Sequence, residues 1–249
     1  MRISRLHVSM PLKVGDTIEL NDELFHYANR VLRLRAGDAI TLFNGDGGEY
    51  GARFTAVSKR NATLEIEAFR NDERCSPVII TCAAGVTRGD KMDVTIRRCT
   101  ELGISRFQPL TTERSGVSFS GAERLAKRRE HWQHVAVAAC EQCGQNRIPT
   151  ILPPRSLPEW LGDSDAQSAH DLRLVFDPAA PTGWSGLPAR AGCIAVLTGS
   201  EGGLSNPEVE AARTAGFIAV RLGPRILRAE TAAIAAAALV QARFGDLLD

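Results

Sequence analysis

The chain has 249 residues, enough to bury a sizeable core in one large domain or two modest ones. Its 44% hydrophobic and 24% charged content is that of an ordinary globular protein and excludes the disordered and fibrous classes. A net charge of +1 excludes any argument from overall charge to a polyanionic or membrane partner. The opening MRISRLHVSM has no apolar signal core, TAAIAAAALVQA is too short for a bilayer span, and the six cysteines read as unpaired; a cytoplasmic location is expected.

Residues 1–70 read as a β-rich module. NDELFHYANRVLRLRAGD places Leu24, Tyr27, Val31 and Leu34 at helical spacing, with Gly37 as a stop. DAITLFNGDGGEYGARFTAV alternates, turns at Asn44-Gly45-Asp46-Gly47-Gly48 and alternates again, a hairpin pattern, and ATLEIEAF adds a strand. The polar run RNDERCSP marks a domain boundary, so a second domain is expected over residues 77–249.

From there the rhythm changes. VIITCAAGV reads as a buried strand, KMDVTIRRCTELG as a helix stopped by Gly103, and SRFQPLT as a strand. A long helix follows over residues 121–143, with Ser120 and Glu123 as a capping box and Gly144 as a stop. DLRLVFDP and CIAVLTG are strands, SNPEVEAARTAG is a helix capped by Ser205 and Glu208, FIAVRLG is a strand, and LRAETAAIAAAALVQARFG closes the chain as a helix. Such alternation predicts an α/β domain with a mostly parallel sheet covered on both faces, whose ligands sit at the carboxyl ends of strands. That selects the loops after Phe176, Thr198 and Leu222.

HWQHVAVAACEQC invites a metal reading, with His131, His134, Cys140 and Cys143 in one window. On a helix, at about 100° per residue, Cys140 and Cys143 lie about 180° and 120° from His131. One ion therefore cannot gather all four, and the cysteines share an apolar stripe with Trp132, Val135, Ala136 and Ala139; we expect no metal. Ten basic residues against five acidic ones between Arg88 and Arg129 form a local excess that suits a polyanion, or simply a solvated helix face.

Two loops carry more information. In LTGSEGGLS, Gly199, Gly202 and Gly203 allow a close backbone approach, but neither G-x-x-x-x-G-K-[ST] nor G-x-G-x-x-G is present, and Glu201 would repel a phosphate. A ligand with positive charge or hydrogen-bond donors suits it better. In LGPRILRAETAA, Arg225 and Arg228 bracket Ile226 and Leu227, which could wall a flat ring, and Arg228, Glu230 and Thr231 stand at a helix start, where amides favour anions.

Together TGSEGGLSNPEVE and LGPRILRAETAA resemble the RsmE family of the SPOUT methyltransferase class, and CTELGISRFQPLTTERS and HWQHVAVAACEQCGQNRIP match its earlier blocks. The chain departs from the family at Ser200, where proline is usual, and at Gln145, where a basic residue is common. The resemblance implies a small N-terminal PUA-like β-barrel, a C-terminal trefoil knot and a homodimer. It also implies S-adenosylmethionine as methyl donor and methylation of N3 of a uridine in the decoding region of 16S ribosomal RNA, in the small ribosomal subunit. By the same resemblance the donor site comprises Phe176, Leu197, Thr198, Gly199, Glu201, Gly202, Leu222, Gly223, Ile226, Leu227, Arg228 and Thr231. Arg228 is expected to stabilise a uracil anion, and Glu230 to accept the proton or orient Arg228. RNA contacts are expected from Arg30, Arg33, Arg88, Lys91, Arg97 and Arg114, and Glu141 and Gln142 could reach the site or a dimer partner. The alternatives are a non-catalytic RNA-binding protein with a degenerate SPOUT domain and a nucleotide-dependent enzyme on a Rossmann-like sheet, the latter lacking its glycine turn.

Overall fold

The computed structural model describes residues 4–20, 25, 35–58, 61–116, 121–181 and 183–248. They divide into two units: residues 1–75 with 140–148, and residues 76–139 with 149–249.

In the first unit, β1 (Ser4–His7), β2 (Thr17–Glu19), β3 (Ala39–Phe43), β4 (Glu49–Val57) and β5 (Ala62–Arg70) form a sheet of order β1-β3-β4-β5-β2. β3 and β4 make the expected hairpin, with Leu42 opposite Tyr50. Gly45, Gly47 and Gly48 in the connection all hold a positive φ, a conformation only glycine adopts without a Cβ clash. Register shifts at Gly51/Ala52 and Phe54/Ala56 interrupt the β4–β5 ladder as bulges. Strand alternation sends Ile40, Leu42, Phe54, Leu64 and Ile66 into one core with Leu6 and Val8. The helix expected from Leu24, Tyr27, Val31 and Leu34 lies outside the described residues, as do Arg30 and Arg33; Phe25, from the same stretch, is buried.

This unit also buries charge. Glu49 is 3% exposed and accepts from Arg5 and from Arg70 at 2.7 Å, with Arg74 at 4.0 Å. Arg5 donates to Asn146 Oδ1 at 2.6 Å and lies over the Phe43 ring. Glu141 accepts the His7 backbone N–H at 3.0 Å, and burial pushes its carboxyl up from the usual carboxylate value. Glu141 is thus used inside this unit, tying residues 140–148 to β1. Gln145 is buried, and its Nε2 donates to the Arg147 carbonyl at 2.8 Å, so the uncommon residue here stabilises a turn.

The second unit contains β6 (Ile79–Gly85), α1 (Lys91–Glu101), β7 (Arg106–Thr111), most of α2 (Ala122–Cys143), β8 (Thr150–Ile151), β9 (Arg155–Ser156), α3 (Leu157–Gly162), α4 (Ser164–Ser168), β10 (Leu172–Phe176), β11 (Cys193–Thr198), α5 (Asn206–Thr214), β12 (Ile218–Val220) and α6 (Ala229–Phe244). Its sheet runs β12-β10-β11-β6-β7-β8, with β9 also on β7. All six strand pairings are parallel, which explains the continuous apolar runs of β6, β10 and β11. One core gathers Ala83, Leu110, Trp160, Val175, Leu197 and Phe217, with Trp160 and Phe217 ring centroids 5.6 Å apart. α6 turns its small residues Ala233, Ala236 and Ala237 inward and packs on α1, β6 and β11. Gln241, buried on the same helix, accepts from Ser76 Oγ and donates to the Leu102 carbonyl.

The sequence pattern predicts no element between residues 144 and 170, whereas β8, β9, α3 and α4 lie there. Two-residue strands carry no alternation to read. α2 buries Trp132, Ala136, Ala139 and Cys140, the expected apolar stripe, while exposed His131 meets Asp93 Oδ2 at 2.7 Å. Gly144 caps it with φ +93°, donating to the Cys140 carbonyl. Ser120 of the expected capping box lies outside the described residues.

Breaking a buried ion pair from one side strands the other charge. Glu49→Ala should therefore lower unfolding stability in urea by about 3–5 kcal/mol. A loss below about 1 kcal/mol would mean that Arg5 finds water or another acceptor.

Candidate active site

Parallel pairing aligns the carboxyl ends of β12, β10, β11 and β6 on one edge. The sheet changes direction of growth between β11 and β6: from β6 the chain moves to β7 and β8, then returns on the other side through β10, β11 and β12. Crevices at such reversals are where open parallel sheets bind ligands. Here Thr198 pairs with Ala84, so the loops leaving β11 and β6 start side by side.

The approach is close. A Cβ on Gly85 would collide with the Ser200 backbone nitrogen, and one on Gly199 would lie 2.5 Å from the Gly203 carbonyl carbon. The Gly-rich loop folds on itself through a Ser200–Gly203 bridge, with Gly203 N–H donating to Ser200 O at 2.9 Å. It then enters α5 through the expected capping box: Ser205 accepts from Glu208 N–H, and Glu208 accepts from Ser205 N–H at 2.8 Å. Glu208 Oε1 also accepts the Glu113 N–H at 2.7 Å, and Ser205 Oγ donates to Glu113 Oε2 at 2.6 Å.

Glu201, expected to meet a cationic or donor-bearing ligand, meets donors of its own chain. Its Oε1 accepts from the Arg88 backbone N–H and from Lys91 Nζ, each at 3.1 Å. Partial burial pushes its carboxyl up, but those two hydrogen bonds outweigh it and hold the group below its ordinary value. Arg114 donates through Nη1 to the Gly202 carbonyl at 3.2 Å. Three of the basic residues expected at RNA therefore touch the Gly-rich loop or the loop beside it, whereas Arg97 is exposed on α1.

A cavity of about 50 Å³ lies between the loops after β10 and β12, lined by Phe176, Asp177, Pro178, Leu222, Gly223, Arg225, Leu227 and Ala232. The structure thus brings Phe176, Leu222, Gly223 and Leu227 together, as expected, and adds Asp177, Pro178, Arg225 and Ala232. Asp177 and Pro178 directly follow a strand selected by the carboxyl-end rule, so that rule could have named them. Thr198, Gly199, Glu201 and Gly202 do not line this cavity; β10 stands between their strand and β12. The Leu197 side chain is fully buried in the core, so only its backbone can face a ligand. Ile226 is 87% exposed, the most exposed of the large apolar side chains described.

Arg228 is the N-cap residue of α6, exposed and with no side-chain cap. Among the described residues no ion pair joins it to Glu230. Glu230 Oε2 is buried without a hydrogen-bond partner, as are Thr198 Oγ1 and Thr87 Oγ1. Such atoms are costly unless something else satisfies them. Thr231 is exposed on the first turn of α6. The orphaned atoms of Thr198 and Thr87 belong to the ends of β11 and β6, apart from the apolar cavity, and that of Glu230 to the first turn of α6. A ligand with polar groups at one end and a flat apolar ring at the other would suit both places. The cavity falls well below the roughly 300–1,000 Å³ of small-molecule sites. Such a ligand must therefore extend over the exposed Ile226 or displace residues 222–228.

The chain matches two family models, an RNA methyltransferase domain over residues 74–241 and an RNA methyltransferase PUA domain over residues 12–67. It is 33% identical to the ribosomal RNA small subunit methyltransferase E of Buchnera aphidicola subsp. Schizaphis graminum, across 99% of this chain and 98% of that one. Among solved structures it resembles a putative methyltransferase from Legionella pneumophila in complex with the bound cofactor SAM (TM-score 0.93, 34% identity, 99% of this chain and 100% of that one). A ribosomal RNA small subunit methyltransferase E from Neisseria gonorrhoeae, bound to S-adenosyl methionine, matches with TM-score 0.91 and 37% identity over 98% and 99% of the two chains.

The tight contact at β6 should be sensitive to one methyl group. Gly85→Ala should cost about 1–3 kcal/mol in chemical unfolding through overpacking. Gly162→Ala, where a Cβ meets nothing within 4 Å, should cost nothing measurable. Equal effects at both positions would show that the Gly85–Ser200 approach is not constrained.

Proposed function

The chain belongs to the ribosomal RNA small subunit methyltransferase E family, with its RNA methyltransferase and PUA domains, and on that premise we propose that it methylates N3 of one uridine in the decoding region of 16S ribosomal RNA. The donor is S-adenosylmethionine, and the enzyme works as a cytoplasmic homodimer on the small ribosomal subunit. The observation that carries this reading is the near-full-length likeness to two solved relatives bound to that cofactor. The division of labour follows: residues 1–70 as a PUA-like RNA-binding barrel, and residues 77–249 as a SPOUT domain with a C-terminal knot. The knot is carried by the family likeness; the edge position of β12 and the packing of α6 on α1, β6 and β11 are compatible with it.

When bound, the donor supplies a methyl group made electrophilic by its sulfonium charge, so no metal is needed. The chain's own residues do the rest. Phe176, Leu222 and Leu227 wall the nucleoside, Ile226 covers its open side, and Thr198, Gly199, Gly202, Gly223 and Thr231 present polar and backbone groups to it. Holding both reactants in line supplies much of the acceleration. Uracil N3–H is weakly acidic, so its proton needs an acceptor. Glu230, with one buried oxygen unpartnered, takes that role. Arg228, exposed and uncommitted at the helix start, stabilises the negative charge that develops on the uracil oxygens. The target base must leave its stack to reach them.

Arg228→Ala should lower methyl transfer to a 16S ribosomal RNA substrate by about 100-fold or more while leaving the unfolding midpoint unchanged. Full activity would remove Arg228 from the chemistry. RNA affinity should come largely from phosphate contacts by Arg97 and by Arg30 and Arg33. Arg97→Gln should then weaken RNA binding across sequences and lower the slope of log affinity against log salt by about one. An unchanged slope would take α1 out of the RNA interface.

A further inference from the structure

The three loops around the β6–β11 switch point form a closed ring of contacts. From the β6–α1 loop the Arg88 backbone N–H, and from the first residue of α1 Lys91 Nζ, both reach Glu201 of the Gly-rich loop. From the β7–α2 loop, Arg114 Nη1 reaches the carbonyls of Gly202 at 3.2 Å and Leu204 at 3.5 Å. Arg88 Nε closes the ring by donating to the Gly116 carbonyl at 3.1 Å. A second tier lies beneath: Thr112 Oγ1 meets Ser200 Oγ at 3.4 Å and Ser115 Oγ at 2.9 Å. Gly202 is pressed on the same β7–α2 loop, since a Cβ there would lie 2.6 Å from Arg114 Cβ.

This ring has a cost and a use. A segment with glycine at three of the five positions 199–203 loses much backbone entropy on ordering. The Lys91–Glu201 pair is 40% and 31% exposed in its side chains, and a surface pair of that kind adds little to global stability. What it can do is choose one shape of a loop that otherwise samples many. A site whose binding-competent shape is only partly populated binds its ligand more weakly by that fraction. Basic residues placed to grip RNA phosphates would instead point cationic groups away from the protein. Lys91 and Arg114 point theirs at an acidic side chain and at carbonyls of the Gly-rich loop.

We propose that Lys91 and Arg114, with Glu201 as their anchor, are positioning residues that pre-shape residues 199–204 for the methyl donor rather than RNA-gripping residues. The inference rests on the reading of the Gly-rich loop as part of the donor site. It assigns Glu201 a role inside the protein, which explains a carboxylate in a loop of this kind.

The test uses the full-length protein, S-adenosylmethionine in calorimetry, and a 16S ribosomal RNA fragment in filter binding. Lys91→Met and Glu201→Gln should each weaken donor binding about tenfold. The double variant should be no worse than either single one, because both break one pair. Lys91→Arg should keep donor affinity near that of the wild type, because Arg still donates to Glu201, which also keeps its bond from the Arg88 N–H. In steady-state assays the loss from Lys91→Met should fall on the donor KM rather than on kcat, and RNA affinity and its salt slope should not move. A weaker RNA complex with a smaller salt slope and unchanged donor affinity would overturn the proposal and return Lys91 to the RNA surface. Unchanged donor affinity in every variant, with the wild type binding normally, would overturn the positioning role alone. No donor binding by the wild type would instead sink the donor-site reading, and this inference with it.

Discussion

Parallel pairing is the constraint on which the second unit depends. Every strand of its sheet points the same way, so every chain crossover must leave from one edge and return to the other. The loops after β6, β10, β11 and β12 are therefore gathered at one edge by backbone hydrogen bonding, before any side chain is considered. The register of Thr198 with Ala84 then sets the Gly-rich loop against Gly85. Substituting Gly85 with a larger residue would separate two loops that the sheet forces together. The location of the candidate site is thus a consequence of strand direction, and the side chains there refine a place the ladder has already chosen.

Within that edge the work is divided between two places. Around β6 and β11 the contacts are polar: Glu201, Arg88, Lys91, Arg114, Thr112 and Glu113 hold one another and the Gly-rich loop. Around β10 and β12 the walls are apolar, the enclosed volume is small, and Ile226 and Arg228 stand in solvent. A pre-formed half beside an adaptable half suits a ligand that must be held firmly at one end and approached by a bulky second substrate at the other. Orphaned oxygens on Thr198, Thr87 and Glu230 mark where further partners are missing.

Much of this was legible in the residues. Strand-helix alternation gave the parallel sheet, the Ser205–Glu208 box gave the start of α5, and the carboxyl-end rule gave the three loops. The stretch 150–168 was not legible as strands, because β8 and β9 are two residues each and owe their existence to β7. α3 does carry a local start signal: Ser156 and Glu159 form a full capping box, with Pro158 at the helix start, but its six residues are too few to show a helical apolar stripe. Leu197 shows a different limit. A residue next to a site loop can face either way, and the pleat turned this one into the core. Glu201 shows a third limit, since its partners are over 100 positions away and no local pattern announces them.

The most direct measurement is amide hydrogen exchange on the full-length protein with and without S-adenosylmethionine. Slowed exchange concentrated at residues 198–204 and 222–231 is the expected result, with the larger change at 222–231, where the loop must close over its ligand. Protection confined to other parts of the sheet edge, or none at saturating ligand, would contradict the assignment of these two loops to one binding site.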